Sequence, residues 1–314
     1  MSINHQAWML RYSVLWFLTV SMPLITHAVQ AKGPNLEFAE VAAGVYLHLG
    51  KHEEMSVDNL GDIANIGFII GNDSVAVIDP GGSPQLGAAM RKSIRDVTEL
   101  PISHLILTHI HPDHIFGGSA FADVENIVAH RNFTRALAQR GNYYREAYSD
   151  LFANPNIPTS LQPTLEVKDE LRIDLGGRRL IVTAHRTAHT DNDLSIYDHA
   201  TQTLWASDLI FAQRIPSLDG SLTGWLKVMD ELAARPAALV IPGHGQPGDW
   251  STVVQPQLRY LNLLLRETRE AIARSIRLSD VVDQVADGES KSWLLFTSHH
   301  RGNVTRAYTE LEWE

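Results

Sequence analysis

The chain has 314 residues, 44% hydrophobic and 20% charged, enough apolar material for a substantial core, which excludes global disorder, a coiled coil and a collagen-like fibre. A formal charge of −10 speaks against a general nucleic-acid binder. Cysteine is absent, so disulfides, Fe–S clusters, thiolate ligands and cysteine nucleophiles are excluded, and any metal must be held by nitrogen and oxygen.

Residues 1–31 read as a signal peptide. Arg11 is their only charged side chain, an apolar run follows from Tyr12 to about Leu24, and small residues at Thr26/Ala28 or Val29/Ala31 suit cleavage. The run is short for a membrane span, so the expected product is periplasmic or secreted, without stable membrane insertion after cleavage. An uncleaved N-terminal anchor is the alternative. The rest, 32–314, reads as a single domain with a C-terminal helical extension. Asn65–Ile70 and Val75–Ile78, joined by Gly-Asn-Asp-Ser, form a hairpin pattern. A helix is expected over Pro84–Leu100 and a short buried strand over His104–Thr108. Helical patterns at Ile115–Phe121 and Arg131–Arg140 alternate with strands at Asn126–Ala129 and Leu180–Ala184. Strands at Leu194–Asp198 and Thr203–Ser207 precede a helix at Leu222–Ala234, a strand at Ala238–Pro242 and a long amphipathic helix at Gln255–Ile276. Interleaved strands and helices favour an α/β layered fold with mixed strand directions. Gly141–Pro163, rich in Tyr, Asn and Pro, takes no assignment.

The chemistry concentrates at His109-Ile110-His111-Pro112-Asp113-His114. His109 and His111 follow a strand, where alternate residues can face one space, and Pro112 suits the first turn of a helix with Asp113 near its positive end. Imidazoles and a carboxylate around one small volume are a ligand mixture that zinc favours. A lone loop histidine would read as a surface residue, but three with an aspartate would repel one another below about pH 6.5 unless neutral or metal-bound. His189, Asp208 and His244 each stand just past an apolar run, as ligands at a sheet edge should. Taken singly, Asp208 reads equally well as a turn or cap residue, and Asp79 as a turn residue before Pro80.

With five landmarks in order, Val77-Ile78-Asp79-Pro80-Gly81-Gly82, the His109–His114 motif, His189, Ser207-Asp208-Leu209-Ile210-Phe211 and Pro242-Gly243-His244-Gly245, the sequence resembles the metallo-β-lactamase superfamily across roughly residues 45–245. The resemblance implies an αββα sandwich, with two mixed β-sheets between outer helices and the metal site at one sheet edge. It implies two Zn²⁺ per chain: His109, His111 and His189 at one metal, Asp113, His114 and His244 at the other, Asp208 bridging, and Asp79 steadying the metal-site loop from behind. Zinc lowers the pKa of bound water to about 7, supplying hydroxide for attack on an ester, thioester or related carbonyl, and Asp113 is the expected catalytic residue that orients it and relays its proton. Secreted β-lactamases of the commonest type carry Cys where Asp208 stands. The diiron flavoprotein branch replaces the second histidine of the motif with Glu, whereas His111 is present here. The export segment and the C-terminal Asn303–Glu314 look most like periplasmic metallohydrolases of quinoprotein and sulfur-oxidation systems, implying a partner in such a system. Two alternatives stand beside this reading: a β-lactamase, and a non-catalytic metal-binding accessory that delivers or protects a quinoprotein.

The ligands alone do not separate thioesters, lactones and β-lactams, so the expected small-molecule specificity falls to loops: residues 48–65, and the 141–163 insertion with Tyr143, Tyr144, Tyr148 and Phe152 as candidate lid aromatics. Trp225 reads as core, and His299 and His300 as caps of the last helix.

Overall fold

A computed structural model describes residues 34, 36–151 and 162–314; residues 1–31, read above as a signal peptide, and Phe152 lie outside them. The first sheet has seven strands in sequence order: β1 (Ala39–Ala42), β2 (Val45–His48), β3 (Ile66–Ile70), β4 (Val75–Ile78), β5 (Ile102–Ile106), β6 (Asn126–His130) and β7 (Leu165–Val167). It is antiparallel from β1 to β4 and parallel from β4 to β7. The second has five, β8 (Glu170–Asp174), β9 (Arg179–Ala184), β10 (Leu194–Asp198), β11 (Thr203–Phe211) and β12 (Leu239–His244), antiparallel except for the β11–β12 pair.

The period-2 alternation of strand side chains decides the layering. In β4, Ala76 and Ile78 join Ile106, Val182, Ile196, Trp205 and Ile241 in a core between the two sheets, while Val75 and Val77 face the other way. That outer face of the first sheet is covered by α1 (Pro84–Val97), through Leu86, Met90 and Ile94, and by α3 (Phe133–Ala147), through Phe133 and Ala136. On the second sheet Leu204, Ala206 and Val240 pack beneath α4 (Leu222–Ala233), α6 (Gln255–Ala273) and α8 (Phe296–Leu311). The product is the expected αββα sandwich of two mixed sheets between helices.

Several boundaries differ from expectation for local reasons. The strand before the motif ends at Ile106, and a one-turn helix, α2 (Pro112–Ile115), starts at the proline itself. Residues 118–121 form only a 3-10 turn. The pattern beginning at Arg131 runs on past Gly141 as α3 to Ala147, where burial of Tyr144 ties the last turns to the core. Trp225 is core, with its Nε1 donating to the Leu209 carbonyl at 2.8 Å. The short helices α5 (Trp250–Val253) and α7 (Leu278–Val281) flank α6. Leu311 is buried and Tyr308 reaches the Ile276 carbonyl, so the final helix packs through both residues. Among the described residues no helix is long and apolar enough to cross a membrane.

Candidate metal centre

The candidate ligands come from segments at one end of both sheets. Residues 107–111 leave β5, and His111 is the N-cap of α2, which carries Asp113 and His114. His189 sits between β9 and β10, and His244 closes β12. Asp208 was expected just beyond its strand, yet it lies inside: β11 continues to Phe211 through a break in register at Ser207, whose φ is 48°. Asp79, just past β4, also has a positive φ, 54°. Neither is glycine, so both backbones are strained, as at sites where surrounding contacts dictate the geometry. Both side chains converge on Thr108. Its N–H donates to Asp79 Oδ1 at 2.8 Å, its hydroxyl donates to Oδ2 at 2.7 Å, and Ser207 Oγ lies 2.9 Å from the same hydroxyl.

All seven candidate ligands are brought together, in two groups. His109, His111, His189 and Asp208 form one, and Asp113, His114 and His244 the other; within each, one donor atom per residue lies within 4.8 Å of the rest. His111 Nδ1 is 3.0 Å from both His109 Nε2 and His189 Nε2. Asp208 reaches across both groups, with Oδ2 at 3.3 Å from His189 Nε2 and 3.4 Å from His244 Nε2, and Oδ1 at 3.1 Å from His114 Nε2. Asp113 Oδ2 is 3.5 Å from His244 Nε2 and 3.6 Å from His114 Nε2.

The far side of each ring determines what points inward. His189 Nδ1 meets the Ser217 carbonyl at 2.6 Å, His244 Nδ1 the Ile63 carbonyl at 2.7 Å, and His114 Nδ1 the Asp79 carboxylate at 2.8 Å. These oxygens only accept, so the facing ring nitrogens carry the protons. His109 Nδ1 faces the Thr108 hydroxyl, which has already donated to Asp79, and His111 Nε2 faces Asp219 Oδ2 at 3.3 Å. In their neutral forms all five rings therefore aim lone pairs at the space shared with two carboxylates. Burial reinforces neutrality: it holds His109 well below its ordinary pKa, His189 at about 3, and lowers His111. For His114 burial is outweighed by the Asp208, Asp113 and Asp79 carboxylates, which raise its pKa. Asp208 shows the converse: burial opposes its ionisation, but His114, His244 and His109 prevail and hold its pKa well down. His114 Nε2 and Asp208 Oδ1 are buried without a hydrogen-bond partner. A cluster of inward lone pairs with orphaned donor atoms fits divalent cations, and the all-N/O donor set suits zinc.

Two neighbours, Asp219 and Arg214, escaped the sequence reading, and a third, His299, entered it only as a helix cap. Asp219, behind His111, is gripped by Arg140 of α3 through both terminal nitrogens and by Arg306 of α8 at 2.7 Å. Arg214 and His299 line the cleft that opens onto His111, Asp113 and His244. Neither His299 nor His300 caps α8, whose N-cap is Leu295; His300 instead bonds Tyr260 and the Val285 carbonyl. Of the candidate lid aromatics, Tyr143, Tyr144 and Tyr148 do line the cleft.

An αββα sandwich with a histidine–aspartate centre at one sheet edge defines a metallohydrolase class. The sequence model described as the Metallo-beta-lactamase superfamily matches residues 60–244, and the chain belongs to that superfamily. A curated relative, the linear primary-alkylsulfatase of Pseudomonas sp. (strain ATCC 19151), is 23% identical over 239 residues, covering 64% of this chain. The chain spans only 44% of that relative's length. Among solved structures, the metallo-beta-lactamases of Hirschia baltica (21% identity) and Pontibacter korlensis (18%) superpose with TM-scores of 0.57; each match covers 73% of this chain and 98% and 99% of theirs, respectively. At that identity the likeness concerns the fold.

Proposed function

We propose that the protein is an exported, zinc-dependent hydrolase of a small ester, thioester or related substrate. The observation that carries this is the convergence of five imidazole rings on two buried carboxylates beside an open cleft. Two zinc ions held there, one by His109, His111 and His189, the other by Asp113, His114 and His244, with Asp208 facing both, would supply Lewis acidity and a lowered water pKa. The chain's own residues do the rest. Asp113 lines the cleft, and its carboxylate is the group placed to take the proton of an attacking water and return it to the leaving group. Asp79 and the Ser217 and Ile63 carbonyls hold His114, His189 and His244 in the required tautomers. Tyr144, Tyr148 and Met55 line the cleft and offer apolar surface to the body of a substrate.

The alkylsulfatase relative supports adding sulfate esters to the substrate classes. Export rests on residues 1–31, and service to a periplasmic quinoprotein or sulfur-oxidation system rests on that segment together with the C-terminal sequence. The test is metal content measured alongside hydrolysis of a panel of thioester, lactone, sulfate-ester and β-lactam substrates, in the wild type and in His111→Ala and Asp208→Ala. The proposal expects both variants to lose metal and turnover together. Normal occupancy and rate in both would overturn it, and metal binding without any turnover would favour the non-catalytic accessory.

A further inference from the structure

Arg214 is 95% buried, as its 5% exposure shows, yet it forms no ion pair with any described Asp or Glu. Its Nε has no hydrogen-bond partner. One terminal nitrogen is 3.4 Å from the Glu53 carbonyl and 3.4 Å from His244 Nδ1, but that ring nitrogen already spends its proton on Ile63 and has nothing to accept with. The other is 3.3 Å from His299 Nε2. Five donors thus share two long contacts. A buried guanidinium is ordinarily matched by a carboxylate, because burying an unpaired charge is costly. Here the counter-charge is missing, and the side chain lines the same cleft as Asp113 and His244.

His299 makes the surroundings of Arg214 more specific. Its Nε2 is also 3.2 Å from Glu54 Oε1. One ring nitrogen cannot accept from Arg214 and donate to Glu54 at once, so the two contacts compete. The Glu54 side chain is 55% exposed and free to swing out. His299 belongs to α8, beyond the segment the superfamily model matches, so this corner is built by the chain's own C-terminal helix.

We propose that Arg214 and His299 form an oxyanion-binding subsite beside the His244 side of the metal centre, and that the substrate carries a carboxylate or sulfate group which docks there. The planar guanidinium offers a two-pronged grip, and His299 supplies a further ring contact once Glu54 is displaced. Met55 and Tyr148 in the same cleft suit an apolar body attached to that anion. Calling the ligand a substrate rests on the hydrolase reading; the subsite itself does not.

The experiment is calorimetric titration of hexanoate, hexyl sulfate and neutral hexanamide into zinc-loaded protein, with metal content measured for each variant. Wild type should bind the two anions at least roughly tenfold more tightly than the amide, a difference of about 1.4 kcal/mol. Arg214→Gln should erase that preference at unchanged metal content, Arg214→Lys should keep part of it, and His299→Ala should weaken it. An anion preference that survives in Arg214→Gln and vanishes only on stripping the metal would overturn the proposal, since the metal alone would then be the receptor. Should Arg214→Gln fail to fold, an undiminished preference in both Arg214→Lys and His299→Ala does the same. Anion binding without turnover on any substrate would sink the hydrolase reading and leave the subsite standing. Turnover with equal kcat/KM for neutral and anionic esters, unaffected by Arg214→Lys, would sink the subsite and leave the hydrolase.

Discussion

Replacing Asp79 by Asn changes one oxygen to an amide nitrogen in a fully buried position, and the structure says which one. Oδ1 must stay an oxygen, because the Thr108 backbone N–H facing it can only donate. The new NH₂ therefore stands where Oδ2 was, 2.8 Å from His114 Nδ1 and 2.7 Å from the Thr108 hydroxyl. As a donor it requires His114 Nδ1 to accept, which drives the ring proton to Nε2, the atom aimed at Asp208 and Asp113. The reverse amide orientation leaves a buried donor facing a donor, at a cost of about 1–3 kcal/mol. The group holding Asp113, His114 and His244 thus loses one lone pair, while His109, His111 and His189 keep theirs. Loss of such an outer partner typically lowers metal affinity roughly 10–100-fold, about 1.4–2.7 kcal/mol. Competitive zinc titration should show one site weakened by that factor and the other unchanged, and ¹⁵N spectra should show the altered His114 tautomer. Two sites of wild-type affinity in Asp79→Asn would refute the argument that Asp79 sets the tautomer.

The proposed bridging role of Asp208 can be tested without touching a ligand: a Cβ on Gly243 would stand 1.8 Å from Asp208 Oδ1 and 2.7 Å from its backbone nitrogen, so Gly243→Ala should lower zinc content at both sites. Gly288→Ala, where a Cβ meets nothing within 4 Å, is the control, and equal metal content in the two would contradict the bridge. Acid stability should depend on buried His185, which burial lowers from 6.5 to about 4. As pH falls the unfolded chain takes that proton first, so stability is complete above about 6.5 and is lost on the way down to 4, by up to about 3 kcal/mol. Denaturant titrations at about pH 7 and pH 5 should show a smaller acid loss for His185→Gln than for wild type; identical losses would assign the acid sensitivity elsewhere. Trp225→Ala, which empties a fully buried site and leaves the Leu209 carbonyl with Gln257 Nε2 as its remaining side-chain donor, should cost about 3–5 kcal/mol by the same titration at neutral pH, and a loss under 1 kcal/mol would deny it a core role.

Local pattern revealed the layers and four of the seven candidate ligands because both depend on short-range order: period-2 strands, and a ligand motif on a strand–turn–helix; His189, Asp208 and His244, each past an apolar run, joined the set through the family resemblance. It misplaced Asp208, since the polar Ser207–Asp208 pair reads as a strand end, whereas the strand bends at Ser207 and buries both side chains toward the centre. It left α3 short because Gly141 and Asn142 resemble breakers; tertiary burial of Tyr144 carries the helix past them. Arg214, Asp219 and His299 were invisible as a group, because their meaning comes from contacts between distant segments: Arg214 with His299, and Asp219 with Arg140 and Arg306. The one local hint was an arginine placed just after the apolar strand that ends at Phe211.

The most direct test of the central claim is zinc stoichiometry against hydrolytic rate as the metal-free protein is titrated. If the five histidines and two aspartates form one centre, two zinc ions should bind per chain and turnover should rise with their occupancy. In His189→Ala and His244→Ala, each of which strips one group, stoichiometry should fall to one. Two ions bound at full affinity in both variants, or full turnover in protein freed of metal, would contradict it.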